Sequence, residues 1–206
     1  MRTFLKWTGS KRLQADFILD KFPKEIDTYY EPFLGSGSIM MRLLETDIPV
    51  NNIVASDVCE PLIGLWKEVQ TNPQSIIDTY RSLHKEFVKD RKTVFNEVRK
   101  TFNEDKTNYG HFLFLTRTCI NGLIRLLIAG KEQDLALQKD PAGSRLVKPI
   151  VKVVTAVALA VGDTRIVYAV AECTVGTDKV KAGGLGRLTG RRANALAVTH
   201  AVPKEI

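Results

Sequence analysis

A short apolar segment that runs into two closely spaced glycines constrains the fold of this chain more than any other feature. Residues 28–34 are aromatic and apolar, which is typical of a buried strand, and Gly35 and Gly37 follow directly. A glycine pair in this position lets the backbone turn sharply and begin a helix without a clash at Cβ. The helix expected from this turn covers residues 39–45. A strand, a glycine turn and a helix in this order predict the opening of a doubly wound α/β sheet.

An acidic residue follows the next predicted strand. This strand is expected over residues 52–56, and Asp57 ends it, twenty residues after Gly37. A carboxylate at this place can accept hydrogen bonds from both hydroxyls of a ribose. No third glycine completes a dinucleotide fingerprint, which favours a ligand with a single nucleoside. By itself, the glycine pair is equally compatible with a plain turn that binds nothing.

Helices are predicted for most other residues up to 125. Apolar residues at helical spacing indicate a helix over residues 12–22, which Pro23 ends, and another near 60–70. Longer amphipathic helices are expected at 73–89, 91–103 and 108–125. Two later runs rich in β-branched residues, 150–161 and 164–170, predict two strands of the same sheet, with Pro149 marking the edge.

The composition changes abruptly after residue 125. Fifteen of the sixteen aromatic residues precede this point, whereas thirteen of the fifteen alanines follow it. Glycines and arginines are frequent after residue 182, and we expect a flexible basic tail there. A change of this kind indicates a domain boundary, a low-information tail or a chain assembled from unlike pieces, and the sequence leaves these alternatives open.

Charge and cysteine content restrict the classes of function further. The net charge of +7 suits a polyanionic partner, although many basic proteins have none. No segment approaches 18 consecutive apolar residues, and the first residues lack the pattern of a signal peptide, so we expect a cytoplasmic protein without a membrane segment. Cys59, Cys119 and Cys173 form no C-x-x-C pair, and the histidines have no metal-binding spacing. We therefore expect reduced thiols and no metal site. No pattern indicates an oligomeric state.

Four segments, in this order along the chain, resemble the motifs of the Dam-type N6-adenine-specific DNA methyltransferases. Residues 6–11 resemble the family's K-W-x-G-[GS]-K segment, and residues 31–37 resemble its E-P-F-x-G-S-G turn. Residues 56–57 are similar to the acidic strand end of the family. Residues 116–125 are similar to its N-R-x-x-[FY]-N-G-L-x-R helix, from which Thr116 departs at the first position. The resemblance covers residues 1–125, roughly 60% of the chain.

The resemblance implies a fold and an activity. The fold is a Rossmann-like S-adenosylmethionine-dependent methyltransferase sheet with a helical target-recognition insertion. The activity is site-specific transfer of a methyl group to N6 of an adenine flipped out of double-stranded DNA, as in restriction–modification. The sheet is expected to be incomplete, because the family adds further strands. The implied division of the chain is a cofactor-binding half at 1–72, a helical DNA-recognition segment at 73–125, a divergent segment at 126–182 that includes the two β-branched runs, and a basic tail at 183–206.

The resemblance also implies two sets of binding residues. The cofactor set consists of Trp7, Gly9, Lys11, Glu31, Phe33, Gly35, Gly37 and Asp57, with Lys11 as a cation near the cofactor carboxylate. The DNA set consists of Arg117, Ile120, Asn121 and Arg125. Arg117 would neutralise a phosphate, and Arg125 could pair bidentately with a guanine. Ile120 occupies the place of an aromatic residue that wedges into the base stack in the family.

The catalytic tetrapeptide of the family, D-P-P-Y or a close variant, is absent from this sequence. In the family, its carboxylate and a proline carbonyl accept both N6 hydrogens, and its aromatic ring stacks on the flipped base. By context its nearest counterpart is Val170, Ala171, Glu172 and Cys173, which follow the strand-like residues 166–168.

Loss of a charged acceptor costs roughly 1.5–3 kcal/mol per hydrogen bond, so we expect little or no turnover unless Glu172 substitutes for the missing carboxylate. The sequence thus leaves three alternatives: a methyltransferase, an inactive, truncated or chimeric remnant that binds S-adenosylmethionine or DNA, and a basic α/β protein without a ligand.

Overall fold

The computed structural model describes residues 3–119, 152, 154, 155 and 165–170, all within a unit that spans residues 1–173. The elements are α1 (Ala15–Leu19), β1 (Ile26–Glu31), α2 (Ser38–Leu43), β2 (Val50–Asp57), α3 (Glu60–Thr71), α4 (Pro73–Lys89), α5 (Arg91–Glu104), α6 (Tyr109–Thr118) and β3 (Arg165–Val170). Among the described residues, no helix is long and apolar enough to cross a membrane.

The three described strands form one parallel sheet with β2 in the centre. β1 and β3 pair with β2 on opposite sides, and the register places Glu31 beside Ala55 and Asp57 beside Val170. The carboxyl ends of all three strands therefore meet at one edge of the sheet. Parallel strands connected through helices confirm the predicted Rossmann-like α/β fold class.

The larger of two hydrophobic clusters among the described residues joins the sheet to the helices, and the smaller one lies between α1 and α2. Ile53 and Ala55 of β2 are fully buried, whereas Val54 between them is half-buried. Successive side chains of a strand point to opposite faces, so one face of the sheet is more deeply buried than the other. α6 is buried on almost every side and packs against α3, α4 and α5. Trp66 of α3 is fully buried, and its indole N–H donates to the carbonyl oxygen of Gly35 at 3.4 Å. The core thus reaches from the helices to the glycine turn.

Three of the helices begin at capping residues that the sequence contains at the right places. The side chains of Asn72, Asp90 and Asn108 accept hydrogen bonds from the backbone N–H groups three residues later, at the starts of α4, α5 and α6. Each cap satisfies a backbone donor that has no partner inside its own helix. These local signals explain why the starts predicted at residues 73 and 91 agree with the structure.

Two elements near the amino terminus differ from the prediction. The helix predicted over residues 12–22 is limited to α1, and Leu13 and Phe17 are 91% and 69% exposed. Their apolar spacing therefore does not mark a core face. The first strand ends at Glu31 although it was predicted to continue to residue 34, because Pro32 has no N–H for strand pairing. Beyond this proline, the N–H of Leu34 still donates to the carbonyl oxygen of Ser56.

The prediction of a strand over residues 150–161 is wrong at the positions that the structure describes. Lys152, Val154 and Thr155 are helical, and Val154 is fully buried. β-branched residues favour strands only weakly, and the preference depends on the packing around them. The run at 164–170 is correctly predicted, since β3 covers Arg165–Val170.

The helix predicted over residues 108–125 ends earlier. α6 stops at Thr118, and Cys119 has extended backbone angles. The hydroxyl groups of Thr116 and Thr118 donate to the carbonyl oxygens of Leu113 and Phe114, a pattern that weakens and bends helices. A single helix through residue 125 is therefore wrong.

Candidate cofactor-binding site

A cavity of about 290 Å³ lies at the carboxyl ends of β1 and β2. It is lined by Trp7, Thr8, Gly9, Ser10 and Lys11 of the N-terminal segment (residues 7–11), by Glu31, Phe33, Leu34, Gly35 and Ser36, by Ser38 and Ile39 of α2, and by Asp57. Seven of the eight residues predicted to bind a cofactor are in this set, and Gly37 is the exception. The place agrees with the rule that parallel α/β sheets bind ligands beyond the carboxyl ends of their strands.

The two residues on which the nucleoside prediction depends are in direct contact. One carboxylate oxygen of Asp57, Oδ2, accepts a hydrogen bond from the backbone N–H of Gly35 at 2.9 Å. The other, Oδ1, accepts from the N–H of Cys59 at 2.9 Å. A carboxylate oxygen has two lone pairs, so both oxygens keep the capacity to accept a further hydrogen bond from a ligand. These contacts place the acidic strand end beside the glycine turn.

The glycine turn (residues 33–37) is shaped by two tryptophans. Gly35 and Gly37 have φ angles of +49° and +60°, which favour glycine. A Cβ on Gly35 would lie 3.2 Å from the ring of Trp7, and a Cβ on Gly37 would lie 2.6 Å from the buried ring of Trp66. Gly35 therefore faces the cavity beside Trp7, whereas Gly37 lets the turn pack onto the hydrophobic core.

Glu31 places a carboxyl group between the cavity and the first turn of α2. Its Oε2 accepts from the N–H of Met40 at 3.0 Å and from the hydroxyl of Tyr29 at 3.3 Å. Burial raises the pKa of this carboxyl to about 7, although both hydrogen bonds favour the ionised form and lower the pKa. Near neutral pH the group is therefore poised between its neutral and ionised forms.

Three serines of the cavity were not singled out from the sequence. The Oγ atoms of Ser10, Ser36 and Ser38 lie 2.7, 2.8 and 3.0 Å from one another and form a hydrogen-bonded triangle. The triangle joins the N-terminal segment to the glycine turn and to α2. Ser10 and Ser36 fall within the two family motifs, but a serine beside a glycine is common in turns, and nothing local indicates that the three hydroxyls meet.

Two apolar side chains near the cavity are exposed. Phe33 lines the cavity with 87% of its surface exposed, and Val58, directly after Asp57, is 60% exposed. An exposed apolar side chain in the wall of a cavity can receive a flat apolar part of a ligand. The motif had indicated Phe33, and the structure places it in the wall of the cavity.

Arg117 is the one residue of the predicted DNA set that lies among the described residues. It is half-buried, and its Nη1 donates to the carbonyl oxygen of Phe4 at 3.5 Å. Its Nε is buried and has no hydrogen-bond partner in the part of the chain that the structure describes. In this arrangement the guanidinium contacts the chain three residues before Trp7.

The other predicted residues of the DNA and catalytic sets are only partly placed. Ile120, Asn121 and Arg125 lie outside the described residues, as do Ala171, Glu172 and Cys173. Val170 ends β3 beside Asp57, and β2 separates it from Glu31 and the glycine turn.

Two of the three cysteines agree with the expectation of unpaired thiols. Cys59 and Cys119 are free and buried, and burial raises the pKa of each thiol to about 11. At neutral pH both remain protonated and chemically inert. The third, Cys173, lies outside the described residues.

Comparison with known proteins identifies the family. The model of the D12 class N6 adenine-specific DNA methyltransferases matches residues 7–131. The chain is 33% identical over 141 residues to the type II methyltransferase M.MjaIII of Methanocaldococcus jannaschii, an alignment that covers 61% of this chain and 48% of that protein. It is 31% identical over 135 residues to the DNA adenine methylase of Escherichia coli K12, covering 63% of this chain and 45% of that protein. The chain therefore spans about half the length of the curated relatives it matches.

Proposed function

The chain belongs to the D12 class N6 adenine-specific DNA methyltransferases, and on this basis we propose that its cavity binds S-adenosylmethionine for methylation of adenine N6 in DNA. The contact between Asp57 and Gly35, in the wall of one cavity at the carboxyl edge of the sheet, is the observation that carries the proposal. When bound, this cofactor supplies an electrophilic methyl group on a sulfonium sulfur.

The residues that line the cavity fit the separate parts of this cofactor. Asp57 has free acceptor capacity for the ribose hydroxyls. Phe33 offers exposed apolar surface for the adenine ring. Lys11 supplies a positive charge for the carboxylate of the methionine part, and Glu31 supplies a carboxyl for its amino group. The backbone at Gly35 lets the ligand approach the turn without a side chain in between.

Double-stranded DNA is the proposed substrate, with the target adenine flipped out of the helix to reach the cofactor. Arg117, Ile120, Asn121 and Arg125 remain the proposed contacts. Since the Nε of Arg117 is buried, a phosphate contact would have to use the terminal nitrogens of its guanidinium. If phosphate contacts dominate, affinity for DNA should fall steeply with salt, and the slope of log K against log salt measures their number.

A second candidate function is binding without transfer. The sequence contains no pair of adjacent prolines, so no segment of it can supply the D-P-P-Y tetrapeptide. Without a carboxylate and carbonyl to accept the N6 hydrogens, the amine stays a poor nucleophile. The cavity would then hold S-adenosylmethionine while the methyl group stays on the cofactor.

Calorimetric titration with S-adenosylmethionine tests cofactor binding, which both candidate functions require. We expect saturable binding that Asp57→Ala abolishes, because the ribose contact and the support of Gly35 are both lost. Asp47→Ala removes an exposed carboxylate that does not line the cavity and should bind like the parent chain. Thermal unfolding of each variant verifies that it is folded. Absence of binding by the parent chain would exclude both candidates.

Methyl transfer separates the two candidates. The protein is incubated with cofactor and unmethylated double-stranded DNA, and N6-methyladenine is quantified by mass spectrometry of the nucleosides. Methylation that requires Asp57 would establish the enzyme. Saturable cofactor binding without N6-methyladenine would establish the binding-only candidate.

A further inference from the structure

We propose that Ser10, Ser36 and Ser38 are positioning residues that hold the N-terminal segment against the glycine turn and thereby set the affinity of the cavity for its ligand. The proposal deepens the proposed function and rests on the same cavity. It concerns three hydroxyl groups that touch one another rather than the reacting atoms.

The geometry of the three hydroxyls allows a closed ring of hydrogen bonds. The Ser36 hydroxyl donates to Ser10 Oγ at 3.0 Å, and the distances from Ser10 to Ser38 and from Ser38 to Ser36 are 2.7 and 2.8 Å. If Ser10 donates to Ser38 and Ser38 to Ser36, each hydroxyl donates once and accepts once. Hydrogen bonds arranged in such a chain polarise and strengthen one another.

Two of the three hydroxyls in the ring are buried. Ser36 and Ser38 are only 3% and 6% exposed, so their hydroxyls need partners inside the protein. Ser10 is exposed and belongs to the N-terminal segment, 26 residues before Ser36. Ser36 and Ser38 bond to each other, and only a closed N-terminal segment adds the third hydroxyl, so that each buried serine can donate and accept at once.

At Gly9, the residue before Ser10, packing holds the N-terminal segment only weakly. Gly9 has a φ of +76°, and no atom lies within 4 Å of the position that its Cβ would take. Trp7 contacts the turn at Gly35 with the edge of its ring. Trp7 also packs edge-on against Phe112, and between Trp7 and Lys11 the Ser10 hydroxyl adds a polar attachment of the segment to the turn and to α2.

The first test measures ligand affinity. Ser10→Ala should weaken the binding of S-adenosylmethionine in calorimetry by about 3- to 10-fold, the order expected for one neutral hydrogen bond. Ser10→Thr keeps the hydroxyl and should restore the affinity of the parent chain. Ser82→Ala is the matched control, because it removes an exposed serine hydroxyl from α4, outside the cavity. Because Ser36 and Ser38 keep their bond to each other, the thermal midpoint of the Ser10→Ala variant should change little.

The second test needs no cofactor. The chain has two tryptophans, and Trp66 is fully buried, so quenching of fluorescence by acrylamide reports mainly on Trp7. Ser10→Ala should increase quenching in the ligand-free protein, and Ser10→Thr should not. Unchanged quenching in Ser10→Ala would overturn the proposal. Increased quenching in a protein that binds no S-adenosylmethionine would support the positioning role and overturn the proposed function alone.

A double-mutant cycle with Ser36→Ala tests the ring as a unit. Once Ser10→Ala has opened it, Ser36→Ala should weaken ligand binding by much less than it does in the parent chain. If the fold-losses in affinity of the two single variants simply multiply in the double variant, the hydroxyls act separately, and the proposal of a ring is overturned.

Discussion

Gly9 and Gly37 both have left-handed backbone angles, yet they lie in different surroundings. At Gly9 an added methyl group meets open space, so Gly9→Ala should cost only the backbone strain, about 1–2 kcal/mol of unfolding free energy. Gly37→Ala adds a clash with Trp66 at 2.6 Å and should cost about 1–3 kcal/mol more. Urea unfolding of the two variants measures the difference, and equal losses would contradict the packing at Gly37.

Glu31 should make stability depend on pH. Its pKa is raised by burial from an ordinary value of 4.5 to about 7, so the folded state holds a proton that the unfolded state releases. This contribution to stability is fully present below about pH 4.5 and is lost as the pH rises through about 7.

Glu31→Gln tests this dependence, because the amide keeps an oxygen for Met40 and Tyr29 but cannot ionise. Its free energy of unfolding should vary less between pH 4.5 and 7, and at pH 8 it should exceed that of the parent chain. Urea denaturation across this range measures both quantities. An unchanged pH profile would show that Glu31 titrates normally.

At the scale of elements, α6 combines a local start signal with burial on almost every side. The Oδ1 of Asn108 accepts from the N–H of His111 at 3.2 Å, and because α6 packs against three helices, weakening its first turn affects the whole core. Asn108→Ala should lower the free energy of unfolding by about 1 kcal/mol. Asn96→Ala, at an exposed position inside α5, should cause no loss, since alanine is the better helix former. Equal effects in thermal unfolding would exclude a capping role.

The two ends of α6 differ in how well the sequence predicts them. The start follows from Asn108, whose side chain reaches a backbone group three residues away. Near the end at Thr118, two threonine hydroxyls donate to backbone carbonyl oxygens of the preceding turn. They bond there because both side chains are buried. Apolar periodicity does not contain that information, and the predicted helix was therefore too long.

For the molecule as a whole, the central position of β2 predicts a gradient of protection in the sheet. Each N–H of β2 points towards β1 or β3, whereas alternate N–H groups of β1 point away from β2 and have no strand beside them among the described residues. Native-state hydrogen exchange should therefore be slowest in β2 and faster at the outward groups of β1. Protection of these outward groups equal to that of β2 would indicate a further strand along β1.

The sequence by itself determined the features that depend on a few neighbouring residues. The glycine turn, the acidic end of β2 and the starts of α4 and α5 follow from backbone sterics and from capping groups that act over three or four positions. The resemblance of residues 1–125 to a methyltransferase family joined these local signals into one expected site, and the family match over residues 7–131 confirms the recognition.

The tertiary structure alone decided the contacts between residues far apart in the chain. The bond between Gly35 and Asp57, the serine triangle and the approach of Trp66 to Gly37 all depend on how the core packs. Burial also raises the pKa of Glu31, and Val154 is buried and helical within a β-branched run. Local propensities are weak compared with the free energy of burying apolar surface, so long-range packing overrides them wherever the two disagree.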